Sequence, residues 1–142
     1  MIFQIDFQAG KPVYLQLADQ IRYALASGRL LPGEPLPALR PLAEELRVNR
    51  NTIAKAYAEL ESQGILETAP GKGFFLKANN SPFNGATRQK LLLTEIDEAV
   101  VMAHHLKVDR EKFLELVQER LDYFERKAAT ARENPRPKPK EN

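Results

Sequence analysis

Four side chains crowded at the head of one short segment carry the chemistry most easily read in this chain. Arg50, Asn51, Thr52 and Lys55 follow directly on Asn49. An arginine guanidinium can bond guanine bidentately, an asparagine amide can do the same for adenine, and threonine and lysine suit phosphates or thymine methyls. A further cation, Lys72, stands between Gly71 and Gly73. Arg40 and Arg47 precede the main cluster. The positive charge is therefore local, because all 142 residues together carry a formal charge of only +2. Contacts made by such a cluster weaken steeply with salt and are modest for a single copy.

These side chains need a frame that turns them outward. From Pro41 to Leu46 the apolar Leu42, Ala43 and Leu46 recur at helical spacing, with Glu44 and Glu45 on the wet side. Pro41 suits the first helical position, where a missing N–H costs nothing. The connection Arg47-Val48-Asn49 is too short for anything but a sharp turn. Asn49 can cap the next helix through its side-chain oxygen or reach a base, and both readings stand. In that helix Ile53, Tyr57, Leu60 and Gly64 share one face at steps of 4, 3 and 4. This face packs inward, with Tyr57 read as core rather than as a base-stacking ring, and Gly64 ends the helix.

A hairpin follows. Residues 65–68 and 74–77 are strand-like, separated by Ala69-Pro70-Gly71-Lys72-Gly73, whose glycines admit positive φ and close backbone approach. Upstream, Pro12 opens another helix in which Tyr14, Leu17, Ala18, Ile21, Ala24 and Leu25 make a wide apolar stripe before Gly28. Ile2 to Phe7 form a short extended arm. Helix, turn, helix and hairpin in this order make a winged helix-turn-helix. Such a unit sets one helix in the major groove of DNA and its hairpin on the flanking backbone or minor groove.

The boxes over residues 1–78 resemble the GntR family of bacterial transcription regulators. Members typically show a Leu-Pro-Ser-x-Arg-x-Leu-Ala box, a turn, an Arg/Asn-Thr-rich recognition helix and a Gly-x-Gly-Thr-Phe-Val wing. Here these are Leu36-Pro37-Ala38-Leu39-Arg40-Pro41-Leu42-Ala43, then Asn49-Arg50-Asn51-Thr52-Ile53-Ala54-Lys55-Ala56-Tyr57, then Gly71-Lys72-Gly73-Phe74-Phe75-Leu76. With the opening Lys11-Pro12-Val13-Tyr14-Leu15-Gln16-Leu17, the chain is most similar to the YtrA subfamily. The resemblance implies that Arg40, Arg50, Asn51, Thr52 and Lys55 touch DNA, with Lys72 and Gly73 on the wing. It also implies repression, often of a transporter operon. Three positions depart from the family pattern. Ala38 stands for a capping Ser, Arg47 for the turn Gly and Phe74 for the wing Thr. A left-handed Arg47 carries roughly 1–2 kcal/mol of strain, which a phosphate contact would offset.

Beyond the wing the composition changes. Residues 79–87 read as a linker by their turn residues. From Arg88 to Leu106 the helical segment is apolar on too many sides for one partner helix to cover. Asp109 can cap a second helix in which Phe113, Val117, Leu121, Phe124 and Ala128 fall on one side. The fold class expected is therefore mainly α with a small β-hairpin: an N-terminal winged helix-turn-helix followed by a C-terminal two-helix dimerisation hairpin over residues 88–131. Leu92, Ile96, Val100, Ala103, Phe113, Val117, Leu121 and Phe124 are the interface residues of a two-fold homodimer, which would bury about 800 Å² per partner. Such a dimer reads a palindromic operator with half-sites about one helical turn apart. Residues 132–142 alternate Pro with charge and are expected to be disordered.

Other classes find little support. Without cysteine there is no disulfide frame or thiolate metal site, and a reducing cytoplasm is the expected compartment. Neither a membrane-length apolar run nor a signal peptide is present. No phosphate loop, nucleophile elbow or histidine–carboxylate constellation marks an enzyme, and no cofactor is expected. His104 and His105 point about 100° apart on a helix and form no metal pair within one chain. The C-terminal region is too small to enclose a large effector, which leaves a crevice between subunits for a small one. The remaining alternative, a winged helix used only for protein–protein contact, does not need the Arg50–Lys55 cluster.

Overall fold

A computed structural model describes residues 3–77 and 85–133. They form five helices and one three-stranded sheet: α1 (Val13–Ala26), β1 (Pro35–Leu36), α2 (Leu39–Leu46), α3 (Arg50–Ser62), β2 (Leu66–Ala69), β3 (Gly73–Leu76), α4 (Gly85–His105) and α5 (Arg110–Glu133). Contacts divide the chain into two units, Met1–Ser81 and Pro82–Asn142.

The first unit is built around α3. Its buried face, Ile53, Ala56, Tyr57 and Leu60, meets Leu17, Ala18 and Ile21 of α1 and Leu42 and Ala43 of α2, while Leu66 and Leu76 close the core from the sheet. The arm enters by Phe3, which is buried. Two glutamines then hold it by imitating a strand neighbour. Gln4 N–H donates to Gln20 Oε1 at 3.0 Å, and Gln20 Nε2 donates back to the Gln4 carbonyl at 2.6 Å. Asp6 and Gln16 repeat the exchange, at 2.9 Å in each direction. The spacing explains the match: four helical residues rise about 6 Å, close to the roughly 6.6 Å covered by two extended ones.

Helix α2 starts at Leu39, two residues before the sequence pattern places it, so Pro41 occupies the third helical position rather than the first. The N–H of that position lacks an intrahelical acceptor too, and proline still forfeits nothing there. Ala38 supplies no side-chain cap. The two hairpin strands each sit one residue nearer the tip than their pattern places them. Ala69 and Gly73 pair with each other, and β1 adds a third, antiparallel strand in the order β1-β3-β2, with Pro35 opposite Phe75 and Leu36 opposite Phe74. Two residues, one of them proline, carry no period to detect.

In the second unit Asp109 caps α5, its Oδ1 accepting from Lys112 N–H at 2.8 Å. Helix α4 begins at Gly85, so residues 85–87 of the expected linker are helical, and α5 runs to Glu133, taking Arg132 and Glu133 from the expected disordered tail. Ile2, residues 79–84 of the linker and residues 134–142 of the tail lie outside the described residues. The two helices are joined by a short turn but do not lie against each other along their lengths. No described helix is long and apolar enough to cross a membrane.

One polar group links α1 to both its neighbours. Asp19 bonds Lys11 and Arg22, and Arg22 Nη1 donates to Gln63 Oε1 beyond the end of α3 at 2.7 Å. Partial burial acts to raise the Asp19 carboxyl, but the hydrogen bonds and charges of Lys11 and Arg22 outweigh it and hold the group below its usual range. A depressed carboxyl stabilises the fold above its unfolded pKa, near 3.9, and that contribution vanishes as pH falls through the lower folded value. Asp19→Asn should therefore lower the urea midpoint at pH 7 and leave it unchanged near pH 2. An equal loss at both pH values would show that the carboxylate charge is not what matters.

Candidate nucleic-acid interface

Helix α3 sets the geometry. Asn49 precedes it in extended conformation, and its Oδ1 accepts from Asn51 N–H at 2.8 Å. Of its two sequence readings the cap is realised, which leaves only the amide N–H groups to face outward. Because Ile53, Ala56, Tyr57 and Leu60 are buried, the opposite side presents Asn51, Lys55 and Ala58 to solvent, with Thr52 half-buried. Arg50 falls on the same side as Tyr57 but is exposed as the first residue of the helix. Ala58 escaped the sequence reading; a small side chain there lets a groove wall approach the helix.

Arg40 from α2, Arg47 from the turn and Arg50 from the head of α3 converge. With Ala43, Glu44 and Val48 they line a shallow depression of about 460 Å³. Among the described residues no carboxylate forms an ion pair with Arg40, Arg47, Arg50, Lys55 or Lys72. The pairs that form among the described residues join Lys11 to α1 or lie within α1 and α5. This corner therefore keeps its charge, in a chain that is almost neutral overall.

Arg47 is left-handed, at φ 57° and ψ 47°. Its N–H donates to the Glu44 carbonyl at 3.3 Å, and Val48 N–H reaches back to Ala43 at 3.0 Å. This pair of bonds is a Schellman ending, which normally uses glycine at the left-handed position. Val48 and Ala43 supply its apolar contact, so the turn is enforced by its surroundings although its residue resists it.

The wing tip is equally defined. Lys72 N–H donates to the Ala69 carbonyl at 2.9 Å, with Pro70 and Gly71 (φ 74°) between them, the residue order of a type II turn. Gly73 lies at φ 113°, and at both glycines an added Cβ would meet open space, so dihedral angle rather than crowding demands them. Lys72 and Gly73 are exposed at the tip. Phe74, which departs from the family's Thr, turns inward. Its ring meets Tyr57 edge-on, with centroids 4.9 Å apart and planes at 64°.

Lys55 has a neighbour that the sequence did not announce. Its Nζ stands 4.1 Å from the ring centroid of Tyr14 on α1. Tyr14 reads from sequence as one more member of an apolar stripe, and no periodicity signals a cation over its face.

The side chains expected at a subunit interface are mostly uncovered. Leu92 is 61% exposed and Leu121 53%, while Ile96, Val100 and Val117 are also exposed and Ala103, Phe113 and Phe124 half-buried. Phe113, Leu116, Val117, Arg120, Leu121 and Phe124 line an apolar groove on α5. His104 and His105 are exposed, with ring centroids 5.8 Å apart, and among the described residues no group of three or more potential ligands could hold a metal ion.

Known proteins share this arrangement. Residues 13–76 match the gntR family of bacterial regulatory proteins. The HTH-type transcriptional regulator YhcF of Bacillus subtilis is 40% identical over 110 residues, which cover 78% of this chain and 90% of the relative. The HTH-type transcriptional repressor YtrA of the same organism is 32% identical over 118 residues, covering 83% and 91%. Among solved structures, one described as a transcriptional antiterminator from Listeria monocytogenes has a TM-score of 0.75 at 29% identity, with 87% of this chain and 93% of that one covered. YtrA from Sulfolobus acidocaldarius, a GntR-family transcription factor, has a TM-score of 0.58 at 33% identity, covering 71% and 99%. The molecule is a winged helix-turn-helix transcription regulator. It belongs to the gntR family, and its relatives there include proteins named YtrA.

The left-handed turn yields a direct test. Replacing Arg47→Gly removes the Cβ penalty and should raise unfolding free energy by about 1 kcal/mol, after allowance for the looser unfolded chain. Urea denaturation of the two proteins measures it. A lower midpoint for the glycine variant would mean that the Arg47 side chain is itself a stabilising contact.

Proposed function

We propose that the chain is a homodimeric repressor that reads a two-fold symmetric operator in double-stranded DNA. The observation carrying this reading is the convergence of Arg40, Arg47 and Arg50 at the exposed head of α3, in ion pairs with no carboxylate among the described residues although Glu44 lines the same depression. A cationic corner beside an exposed Asn51 suits a helix entering the major groove head first. On this reading Arg50 and Asn51 contact base edges and Thr52 a phosphate or thymine methyl. Arg40, Arg47 and Lys55 contact phosphates, Asn49 adds a donor from its free amide, and Lys72 with the Gly73 backbone follows the flanking strand. The strain at Arg47 fits a residue kept for its charge.

Dimerisation is inferred from the uncovered apolar side chains of α4 and α5. A contiguous apolar surface of this extent marks an interaction site, and a second copy of the same helices is its natural cover. Leu92, Ile96, Val100, Ala103, Phe113, Val117, Leu121 and Phe124 form that interface in the proposed dimer. Two copies double the phosphate contacts, which offsets the modest charge of each. The chain acts in the cytoplasm, and repression follows where the operator overlaps a promoter. Bacillus subtilis YtrA is itself named a repressor. Resemblance to its subfamily supports a transporter operon as target, and the crevice between subunits is the place for a small effector.

Selection of bound fragments from random duplexes with the full chain should return an inverted repeat. Arg50→Ala should weaken binding to that duplex about 30- to 10⁴-fold, the worth of two bidentate base contacts, one in each half-site, with far less effect on unrelated DNA. Undiminished discrimination by this variant would refute the assignment of α3. For the interface, Val117→Asp combined with Leu121→Asp should shift the protein from dimer to monomer in light scattering at micromolar concentration. Operator affinity should drop by about 10²-fold or more as bivalency is lost. A wild-type protein that is already monomeric would remove the dimer from the proposal.

A further inference from the structure

We propose that Tyr14 is a positioning residue for DNA binding: the face of its ring holds the Lys55 ammonium in place to meet a backbone phosphate. The inference rests on the reading of α3 given above and extends it to α1, which that reading leaves out.

The geometry is specific. Tyr14 is the second residue of α1, half-buried, and one side of its ring packs on the core. Lys55 sits five residues after the head of α3 and is exposed, with its Nζ 4.1 Å from the ring centroid. That separation is well inside the range of a cation–π contact. No carboxylate pairs with Lys55, and the first turn of α1 contains no acidic residue. The ammonium is therefore held by a neutral group that leaves its charge available. A carboxylate at the same place would hold the lysine more firmly but would cancel the charge and repel the phosphate.

The physical benefit is preorganisation. A free lysine side chain loses much of its rotamer freedom when it docks on a phosphate. Here part of that freedom is already given up in the unbound protein. Because Tyr14 belongs to α1 and Lys55 to α3, the contact also fixes the lysine relative to the helix that backs the recognition element. The Tyr14 hydroxyl makes no hydrogen bond among the described residues, so the ring face is the part of the side chain engaged with the lysine.

The test uses the full chain and the duplex that it selects from a random pool. Tyr14→Phe keeps the ring and should bind like the wild type. Tyr14→Leu keeps apolar bulk without the π face and should weaken binding about 5- to 30-fold, because both copies in the dimer lose the contact. Lys55→Ala should weaken binding and lower the slope of log K against log salt by about 2, one phosphate per half-site. In the Lys55→Ala background the Tyr14→Leu change should have no further effect. A merely structural tyrosine would instead give additive losses, and that result overturns the proposal. So does a Tyr14→Phe variant as weak as Tyr14→Leu, which would assign the effect to the hydroxyl.

A second readout is independent of DNA. In the free protein the ε-methylene protons of Lys55 should show an upfield ring-current shift in the NMR spectrum, retained in Tyr14→Phe and lost in Tyr14→Leu. Absence of the shift in the wild type also overturns the proposal. If Arg50→Ala reduces discrimination while Lys55→Ala changes neither affinity nor salt slope, the present inference fails together with the phosphate contact assigned to Lys55, and the rest of the reading of α3 stands. If neither variant matters, the reading of α3 fails with it.

Discussion

From inside the core of the first unit, the phenol of Tyr57 donates to the Pro37 carbonyl at 2.8 Å, while its ring meets Phe74 edge-on. One side chain on α3 thereby grips the chain entering α2 and the strand that carries the wing. Burial pushes this phenol well above its ordinary pKa, so it remains a donor throughout the useful pH range. The orientation of the recognition helix follows from this anchorage. With Tyr57 fixed inward alongside Ile53 and Leu60, helical geometry turns Asn51 and Lys55 outward, while Arg50, seven residues before Tyr57, is exposed as the first residue of the helix. Loss of the grip would free the wing and the chain entering α2 together, because both meet at the same residue.

A separate, local device keeps an arginine left-handed. Two backbone bonds close the Schellman ending around Arg47, and Val48 is drawn against the core with which it packs. A left-handed non-glycine residue is tolerated only where its surroundings over-determine it. Lys107, the other such residue, ends α4 with the same pair of backbone bonds, to His104 and Ala103. The two differ in company. Arg47 shares its depression with two further arginines, whereas the residues next to Lys107 in sequence, His104, His105, Leu106 and Val108, include no arginine. Strain alone therefore does not mark a binding residue; strain within a concentration of unpaired charge is the more telling combination.

Much of this was legible before any coordinates. Stripe periodicity identified the three helices of the first unit, and the Pro-Gly-Lys-Gly run identified the wing turn, since each relies on chemistry confined to a few neighbouring residues. What escaped depends on contacts distant in sequence. Strand β1 exists because the segment at Pro35 happens to run beside Phe75, and the Lys55–Tyr14 contact joins helices whose crossing no periodicity encodes. Phe74 looked like a departure at a contact position, yet its ring serves the core; family substitution patterns do not reveal which way a side chain turns. Both ends of the second unit were misjudged by two or three residues. Asn84 before α4 and Asn134-Pro135 after α5 sit in runs that read as linker and tail by composition, which hides them as helix limits, and α4 has no single apolar face to phase it.

The second unit poses a different physical problem from the first. Helix α5 has no buried residue along its whole length, and α4 exposes leucines and valines on several sides. Helices of this length hold their shape through backbone bonding and side-chain propensity, but uncovered leucine and valine surface is unfavourable in water. Under the proposed dimer the cost is removed by association, so the cohesion of this unit depends on protein concentration in a way that the first unit's does not. The chain then divides its labour physically as well as functionally. A self-sufficient core presents one set of cations to one half-site, and a unit completed only by its twin sets the distance between two such sets. An effector that altered the packing of α4 on its partner would change half-site spacing without touching α3, because spacing and base contact reside in different units.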